Sequence, residues 1–198
     1  MEKKKIMVTG GAGFIGSHLV EHLLNKEHDV IVIDNFLRGN KLTTDLIDRV
    51  TLVEGDVRDP KLCNTYAQGC DIIFHLAAYL GVDIVADNPV DTMEVESEST
   101  RNIIYSAIMN GVEKIIYAST SGVYGKSAIE KSVSEDYIVD PRSSYSIAKR
   151  YNEIYLQANH IEKGLNSIAL RYFNVYGKRQ DDRMVIPRFI NQAILNQP

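Results

Sequence analysis

The sequence predicts a doubly wound α/β fold, in which a parallel sheet is covered by helices on both faces. Three observations support this. Short apolar runs alternate with helical segments, a glycine-rich turn follows the first run, and a carboxylate ends the second. The predicted strands are residues 5–9, 30–34, 51–54, 71–75, 114–119 and 167–172. Right-handed crossovers between them give the expected strand order 3-2-1-4-5-6.

The turn after the first strand has glycines spaced three apart, Gly10, Gly13 and Gly16, and it leads directly into a helical pattern. Such glycines permit a tight turn, let the backbone approach a pyrophosphate, and allow a helix to pack closely on a strand. Asp34 lies 18 residues after Gly16, close to the roughly 20 residues expected for a carboxylate that accepts from ribose hydroxyls. These signals predict a Rossmann-type dinucleotide site that prefers NAD to NADP. Arg38 tempers that preference, because a cation there can meet a 2′-phosphate.

Length and composition are those of one globular domain, with 198 residues of which 44% are hydrophobic. The net charge is −4 and the basic residues are spread along the chain, which argues against nucleic acid or an anionic membrane as a partner. No apolar run approaches the roughly 18 residues needed to span a bilayer. Cys63 and Cys70 fit no metal-ligand spacing and are too few for a disulfide framework. We therefore expect a cytoplasmic protein without a metal site, whose cysteines are small buried residues.

Polar residues with catalytic potential follow the fifth strand. Thr120 stands at its end, and Tyr145 and Lys149 lie four apart on a helix that begins near residues 141–144. An ammonium beside a phenol favours the phenolate, and lowering a phenol pKa from about 10 to neutrality takes about 4 kcal/mol. A lysine and a positively charged nicotinamide ring together can supply that. Thr120 would donate to, or relay the proton of, the same substrate hydroxyl.

Apolar residues at helical spacing mark one face of each helix that flanks the fifth strand. On the preceding helix they are Ile103, Ile104, Ala107 and Ile108, and on the following helix Ile147, Tyr151, Ile154 and Tyr155.

Taken together, these motifs resemble those of the extended short-chain dehydrogenase/reductases of the nucleotide-sugar epimerase type, from Lys5 to the last residue. Further segments carry the resemblance: Asp34-Asn35, residues 55–59, residues 75–78 and residues 171–177. It implies a substrate-diphosphate contact by Asn174. The cofactor-binding residues that it implies are Gly10, Gly13, Phe14, Ile15, Gly16, Asp34, Asn35, Asp56, Val57, Leu76, Ala77, Ala78, Tyr172 and Phe173.

The resemblance also implies a reaction. Tyr145 as phenolate would take the proton of a sugar 4-hydroxyl while C4 passes hydride to NAD, and hydride would return to the other face of the keto sugar. Related decarboxylases and dehydratases carry an additional Glu or Asp-Glu directly after the active-site threonine, where this chain has Ser121 and Gly122. We therefore expect a C4 epimerase of a nucleotide-diphosphate sugar. A decarboxylase, dehydratase or reductase remains an alternative, as does a non-catalytic NAD-binding protein.

Several positions depart from the family pattern. The family often shows Asn-Val-x-Gly-Thr where this chain has residues 96–100, beginning with Glu96. We expect Glu96 to be solvated or to cap a helix; if instead it reaches Lys149, the pair would partly neutralise the charge that activates Tyr145. Leu80 stands where some relatives place a cofactor-contacting lysine.

The end of the chain is the largest departure, since relatives continue into a smaller substrate lobe that is largely missing here. We expect residues 1–180 to form the NAD-binding domain, residues 181–198 to begin the substrate lobe, and the whole to be part of a longer enzyme. The alternative is a shortened protein that binds NAD without turnover. Relatives commonly form homodimers through the two helices that flank the active-site strand, so a homodimer is expected.

Overall fold

The computed structural model of this chain describes residues 2–79 and 82–196. Leu80 and the last two residues of the predicted substrate lobe lie outside the described residues. The expectations for them therefore stay predictions.

The centre of the molecule is a parallel sheet of six strands. They are β1 (Lys5–Thr9), β2 (Asp29–Asp34), β3 (Thr51–Glu54), β4 (Ile72–His75), β5 (Lys114–Thr120) and β6 (Ser167–Tyr172). Their order across the sheet is β3-β2-β1-β4-β5-β6, and every neighbouring pair is parallel. The predicted fold class and strand order are confirmed. Only single-residue boundaries differ: β2 begins at Asp29, β4 begins at Ile72 and β5 ends at Thr120.

Helices connect the strands. They are α1 (Phe14–Asn25), α2 (Thr44–Ile47), α3 (Pro60–Ala67), α4 (Val82–Asp87), α5 (Pro89–Met109), α6 (Ser127–Glu130), α7 (Ser144–Lys163) and α8 (Val185–Ile194). A 3₁₀ turn, Ser121–Tyr124, follows β5. The sequence places strong signals at the ends of α7, where Ser143 and Ser146 form a reciprocal capping box and Gly164 adopts a left-handed conformation. These signals fix where α7 begins and ends.

The core has two layers because side chains alternate along the central strands. Met7 and Ile33 face the layer formed with α3, α5 and α7, whereas Val8 and Val32 face the layer formed with α1. Strands that are buried on both faces read as continuous apolar runs, which explains why the runs predicted a parallel sheet. Parallel strands also bring all their carboxyl ends to one edge, where ligands of such folds bind.

The two helices that flank β5 differ in where they place their apolar faces. The predicted apolar face of α5 is buried, with Ile103 and Ile104 inside the core. The predicted apolar face of α7 is not buried: Ile147, Tyr151 and Ile154 are 41%, 52% and 50% exposed. A different face of α7 packs against α5 and the sheet, and it consists of Ser146, Ala148, Lys149, Asn152, Glu153 and Leu156.

Apolar side chains are also exposed at the far side of the sheet. Strand β6 lies at one edge, with Ile168 and Leu170 46% and 37% exposed. Helix α8 has no buried residue, and its apolar residues Phe189 and Ile190 are 63% and 54% exposed.

Other predictions concern bulk properties. No described helix is long and apolar enough to cross a membrane. Cys63 and Cys70 are both free and buried, as predicted. Burial raises the pKa of the Cys63 thiol to about 12.

Candidate active site

The glycine turn, residues 10–16, connects β1 to α1 at the carboxyl edge of the sheet. Gly10 has a φ of +68°, and a Cβ atom there would lie 2.7 Å from the backbone nitrogen of Ala77. A Cβ atom on Gly16 would lie 2.6 Å from the Cα atom of Gly11. Gly13 differs from both, because its φ is −76° and its nearest neighbour would be the Gly10 carbonyl oxygen at 3.3 Å. The chain's own packing therefore requires glycine at 10 and 16, whereas a Cβ atom on Gly13, at the start of α1, would meet one tight contact with the Gly10 carbonyl oxygen.

Asp34, at the end of β2, is held in place by this turn. Its Oδ2 accepts from the backbone N–H of Ala12 at 3.0 Å, and its Oδ1 accepts from that of Phe36 at 2.9 Å. Burial raises the pKa of Asp34, and these hydrogen bonds oppose the rise. Beside it, the Asn35 side chain accepts from the backbone N–H of Leu37 at 3.1 Å. The carboxylate is thus fixed next to the start of α1.

The remaining predicted cofactor residues lie at the same edge of the sheet. Ala77 follows β4 and donates its backbone N–H to Thr9 Oγ1 at 3.3 Å, which places residues 76–78 against the glycine turn. Asp56, after β3, pairs with Arg58 at 2.6 Å, and this contact holds the pKa of Asp56 below its ordinary value. The other predicted contacts are Phe14 and Ile15 at the start of α1, buried Val57 after β3, and Tyr172, Phe173 and Asn174 at the end of β6.

Thr120 and the first turn of α7 approach each other after β5. Thr120 Oγ1 accepts from the backbone N–H of Gly122 at 3.1 Å. A Cβ atom on Gly122 would lie 3.4 Å from Thr120 Oγ1 and 3.3 Å from the Cβ atom of Ser146, so all three residues are close neighbours. Tyr145 precedes Ser146 in this turn, and Lys149 Nζ lies 5.4 Å from the centroid of the Tyr145 ring. The structure therefore brings the three predicted catalytic residues to one end of the sheet.

Lys149 has a partner that the sequence analysis did not expect there. Its Nζ forms an ion pair with Glu96 Oε2 at 3.0 Å, and both side chains are 1% exposed. The expectation that Glu96 is solvated or caps a helix is wrong. The physical reason is that a fully buried ammonium needs a counter-charge, and Glu96 is the residue of α5 that faces Lys149 across the packed helices.

Burial and these charges set the ionisation of the site. Burial raises the pKa of Tyr145; the Lys149 charge lowers it and the Glu96 charge raises it. Burial lowers the pKa of Lys149, but Glu96 outweighs this, so the net shift is upward. His75 and Tyr117 also face Lys149: burial lowers the pKa of His75 to about 3 and raises that of Tyr117 to about 12. Among the described residues around Lys149, the ion pair with Glu96 is thus surrounded by rings that are neutral at neutral pH.

A second ionic cluster, missed in the sequence analysis, lies beside the first. Glu153 accepts from Ser119 Oγ at 2.5 Å, from Arg150 at 2.8 Å and from Arg171 Nη2 at 2.9 Å. Arg171 also donates to the hydroxyl oxygen of Tyr124 at 2.9 Å. One available signal was the spacing of Glu153, four residues after Lys149, which puts it on the same helix face. The cluster fixes the end of β6, from which Tyr172 and Phe173 continue.

A family model described as the NAD dependent epimerase/dehydratase family matches residues 6–198. The chain belongs to this family. It is 38% identical, over 97% of its length, to a UDP-N-acetyl-alpha-D-glucosaminuronate decarboxylase of Bacillus cytotoxicus. The resemblance stated from the motifs is confirmed, and so is NAD as the cofactor of the family.

Solved structures agree with this assignment. The UDP-N-acetylglucosamine 4-epimerase of Methanobrevibacter ruminantium, in complex with UDP-N-acetylmuramic acid, has a TM-score of 0.91, 33% identity and 100% coverage of this chain. The UDP-glucose 4-epimerase of Thermus thermophilus, in complex with NAD, has a TM-score of 0.88, 32% identity and 98% coverage. The chain spans 62% of the length of the Bacillus relative and 64% of each of these two structures. Epimerases and decarboxylases both occur among the matches, so the family comprises several reactions on nucleotide sugars.

Proposed function

We propose that this chain is the NAD-binding and catalytic part of a nucleotide-sugar 4-epimerase. One observation carries the proposal: Lys149 lies 5.4 Å from the Tyr145 ring on α7, whose first turn approaches Thr120. The two residues directly after Thr120, Ser121 and Gly122, carry no acid. In this reading residues 1–180 form the NAD-binding domain of a cytoplasmic enzyme, and residues 181–198 begin its substrate lobe.

The carboxyl edge of the sheet fits NAD. Gly13 stands without a side chain at the N-terminus of α1, where a pyrophosphate binds favourably, and Asp34 is fixed beside it to accept from ribose hydroxyls. Residues 76–78 would line the nicotinamide half together with Tyr172 and Phe173. NAD, when bound, takes up the hydrogen of the sugar C4 as hydride and gives it back.

The chain's own residues would manage the proton of the sugar 4-hydroxyl. Tyr145 would accept it as the C4 carbonyl forms and return it when the alcohol is restored. Thr120 Oγ1 already accepts from Gly122, so its hydroxyl hydrogen is directed away from that bond and can donate to the substrate oxygen. Burial keeps the pKa of Tyr145 high despite Lys149. With oxidised NAD bound, the positive charge of its nicotinamide ring would lower the pKa of Tyr145 in the same direction as Lys149 does.

The nature of residues 121 and 122 favours epimerisation over the other family reactions. Ser121 and Gly122 carry no carboxyl group that could move a proton to or from carbon after the sugar is oxidised. The 38% identity to a decarboxylase makes loss of carbon dioxide the second candidate. A decarboxylase would use the same oxidation at C4, would release the sugar carboxylate as carbon dioxide, would deliver a proton to the carbon that it leaves, and would return the hydride to C4. Because Ser121 and Gly122 supply no acid for that proton, another residue would have to deliver it.

A substrate panel tests these candidates. The natural full-length protein, supplied with NAD, is incubated with UDP-, GDP-, dTDP- and CDP-linked sugars, including uronic acids. Interconverted C4 epimers support the proposal. Released carbon dioxide supports the decarboxylase, water-loss products support a dehydratase, and bound NAD without turnover of any sugar supports a non-catalytic protein.

Replacement of Tyr145 by phenylalanine tests the assignment of the base. Tyr145→Phe is expected to lower turnover at least a thousandfold while leaving the dissociation constant for NAD within about twofold of the parent's. Tyr151→Phe is the matched control, because Tyr151 lies on the same helix, 52% exposed and stacked on Tyr155. A Tyr145→Phe protein with parental turnover would refute the assignment.

A further inference from the structure

The carboxylate of Glu96 is held at both oxygens. Its Oε2 pairs with Lys149 Nζ at 3.0 Å, and its Oε1 accepts from the backbone N–H of Tyr79 at 2.9 Å. The backbone is held as well, since Asn152 Nδ2 donates to the carbonyl oxygen of Glu96 at 3.0 Å. With 1% of its side chain exposed, Glu96 cannot turn away from Lys149 without leaving buried polar atoms unpaired.

Among the described residues, the groups that face Lys149 come from four elements. They are Glu96 on α5, Tyr117 on β5, Tyr145 on α7 and His75 on β4. The ring of Tyr117 lies 4.8 Å from Lys149 Nζ, closer than the ring of Tyr145 at 5.4 Å. Both phenols and the imidazole are neutral at physiological pH. Among these facing groups, Glu96 therefore carries the only counter-charge to Lys149.

The same carboxylate connects two parts of the site. Tyr79 directly follows residues 76–78, which lie against the glycine turn, and Lys149 lies beside Tyr145. Glu96 is the residue through which the segment after β4 contacts the catalytic helix by an ionic and a hydrogen-bonded link. Its position is thus set by both sides of the site at once.

Building on the proposed function, we propose that Glu96 is a positioning residue that holds the Lys149 ammonium and partly cancels its field at the Tyr145 phenol. Lys149 alone would stabilise the phenolate, and a carboxylate 3.0 Å from Nζ opposes that effect. Tyr145 then ionises at a higher pH than it would beside an unpaired lysine. The protein is expected to reach full activity only at correspondingly higher pH.

Titration of Tyr145 in the NAD-loaded protein tests this without any substrate. The ultraviolet absorbance of tyrosinate is followed against pH, and the difference between each protein and its Tyr145→Phe counterpart isolates this one phenol. Glu96→Gln removes the charge at nearly constant shape. It is expected to lower the midpoint for Tyr145 by about one pH unit, a tenfold change in the ionisation constant. Glu98→Gln is the matched control, because Glu98 lies on the same helix with its side chain 46% exposed, and no shift is expected.

A second variant covers the case in which the unpaired Lys149 prevents folding of Glu96→Gln. Glu96→Asp keeps the charge but is one methylene shorter, so it is expected to fold and to give a smaller downward shift. A midpoint equal to the parent's in every Glu96 variant that folds, or an upward shift in either, overturns the inference. Because the titration needs no sugar, it also separates the two proposals. A downward shift without turnover of any sugar leaves this inference standing and the epimerase refuted, and turnover without a shift does the opposite.

Discussion

Gly16 and Gly13 belong to one turn but are expected to fail in different ways when replaced by alanine. A Cβ atom at position 16 would lie 2.6 Å from Gly11 Cα and 2.9 Å from the Gly11 carbonyl carbon. These are backbone atoms of the turn itself, so they cannot move aside like the end of a flexible side chain. Overpacking of this kind costs up to about 3 kcal/mol, which for a chain of this size lowers Tm by roughly 9 °C.

Gly13→Ala should leave the fold nearly unchanged. Its φ of −76° suits alanine, and its one close neighbour is the Gly10 carbonyl oxygen at 3.3 Å. As an N-cap, alanine is somewhat worse than glycine, so a loss below about 1 kcal/mol is expected. The added methyl group would, however, occupy space that a pyrophosphate approaches, and NAD affinity should fall at least tenfold.

Two measurements check this pair of variants. Thermal unfolding followed by circular dichroism gives Tm without cofactor, and isothermal titration with NAD gives the affinity of the folded proteins. Gly16→Ala is expected to have a lower Tm than the parent, whereas Gly13→Ala is expected to lose NAD affinity with little change in Tm. A parental Tm for Gly16→Ala would refute the packing argument, and parental NAD affinity for Gly13→Ala would refute the assignment of the turn to the pyrophosphate.

Three further predictions concern other parts of the molecule. Burial raises the pKa of Glu153, but hydrogen bonds from Arg171 and its neighbours outweigh it, so the net shift is downward. The ionised carboxylate thus stabilises the fold above the pKa of Glu153 in the unfolded chain, about 4.3. This stabilisation is lost as the pH falls through the pKa of Glu153 in the folded protein. Glu153→Gln should lower the free energy of unfolding by about 2 kcal/mol at pH 7, and its difference from the parent should narrow as the pH falls. Denaturant unfolding at several pH values measures that difference, and a constant difference would contradict the prediction. Asp34→Ala should weaken NAD binding about tenfold and reduce the ratio of NAD affinity to NADP affinity. Isothermal titration with both dinucleotides measures this ratio, and a ratio equal to the parent's would contradict the prediction. Tyr151→Glu, on the exposed apolar face of α7, should convert the proposed homodimer to a monomer in sedimentation, and a parent that is already monomeric would exclude that interface.

The sequence predicted the fold well because the relevant signals are local. Apolar runs, the glycine turn and the capping residues of α7 each act within a few positions of the chain. The face that α7 buries was not predictable in the same way. Its buried side carries Lys149 and Asn152, whose partners Glu96 and Tyr117 are distant in sequence, so the apolar stripe of α7 does not identify the side that packs against the core.

The site shows the same division between local and distant information. Tyr145, Lys149 and Thr120 follow recognisable spacings, and the structure brings them to one end of the sheet. The pairing of Lys149 with Glu96 depends on how α5 packs against α7. No pattern within either helix reveals it, because a glutamate among serines on a helix resembles a solvated residue until its burial is known.

Strand β6 and helix α8 have a practical consequence for work with the isolated chain. A strand at the edge of a sheet presents unpaired backbone groups, and here it carries exposed Ile168 and Leu170. Phe189 and Ile190 of α8 are exposed as well. In concentrated solution, copies of this 198-residue chain would associate with one another through this edge. Such aggregation would obscure a dimer formed through α5 and α7.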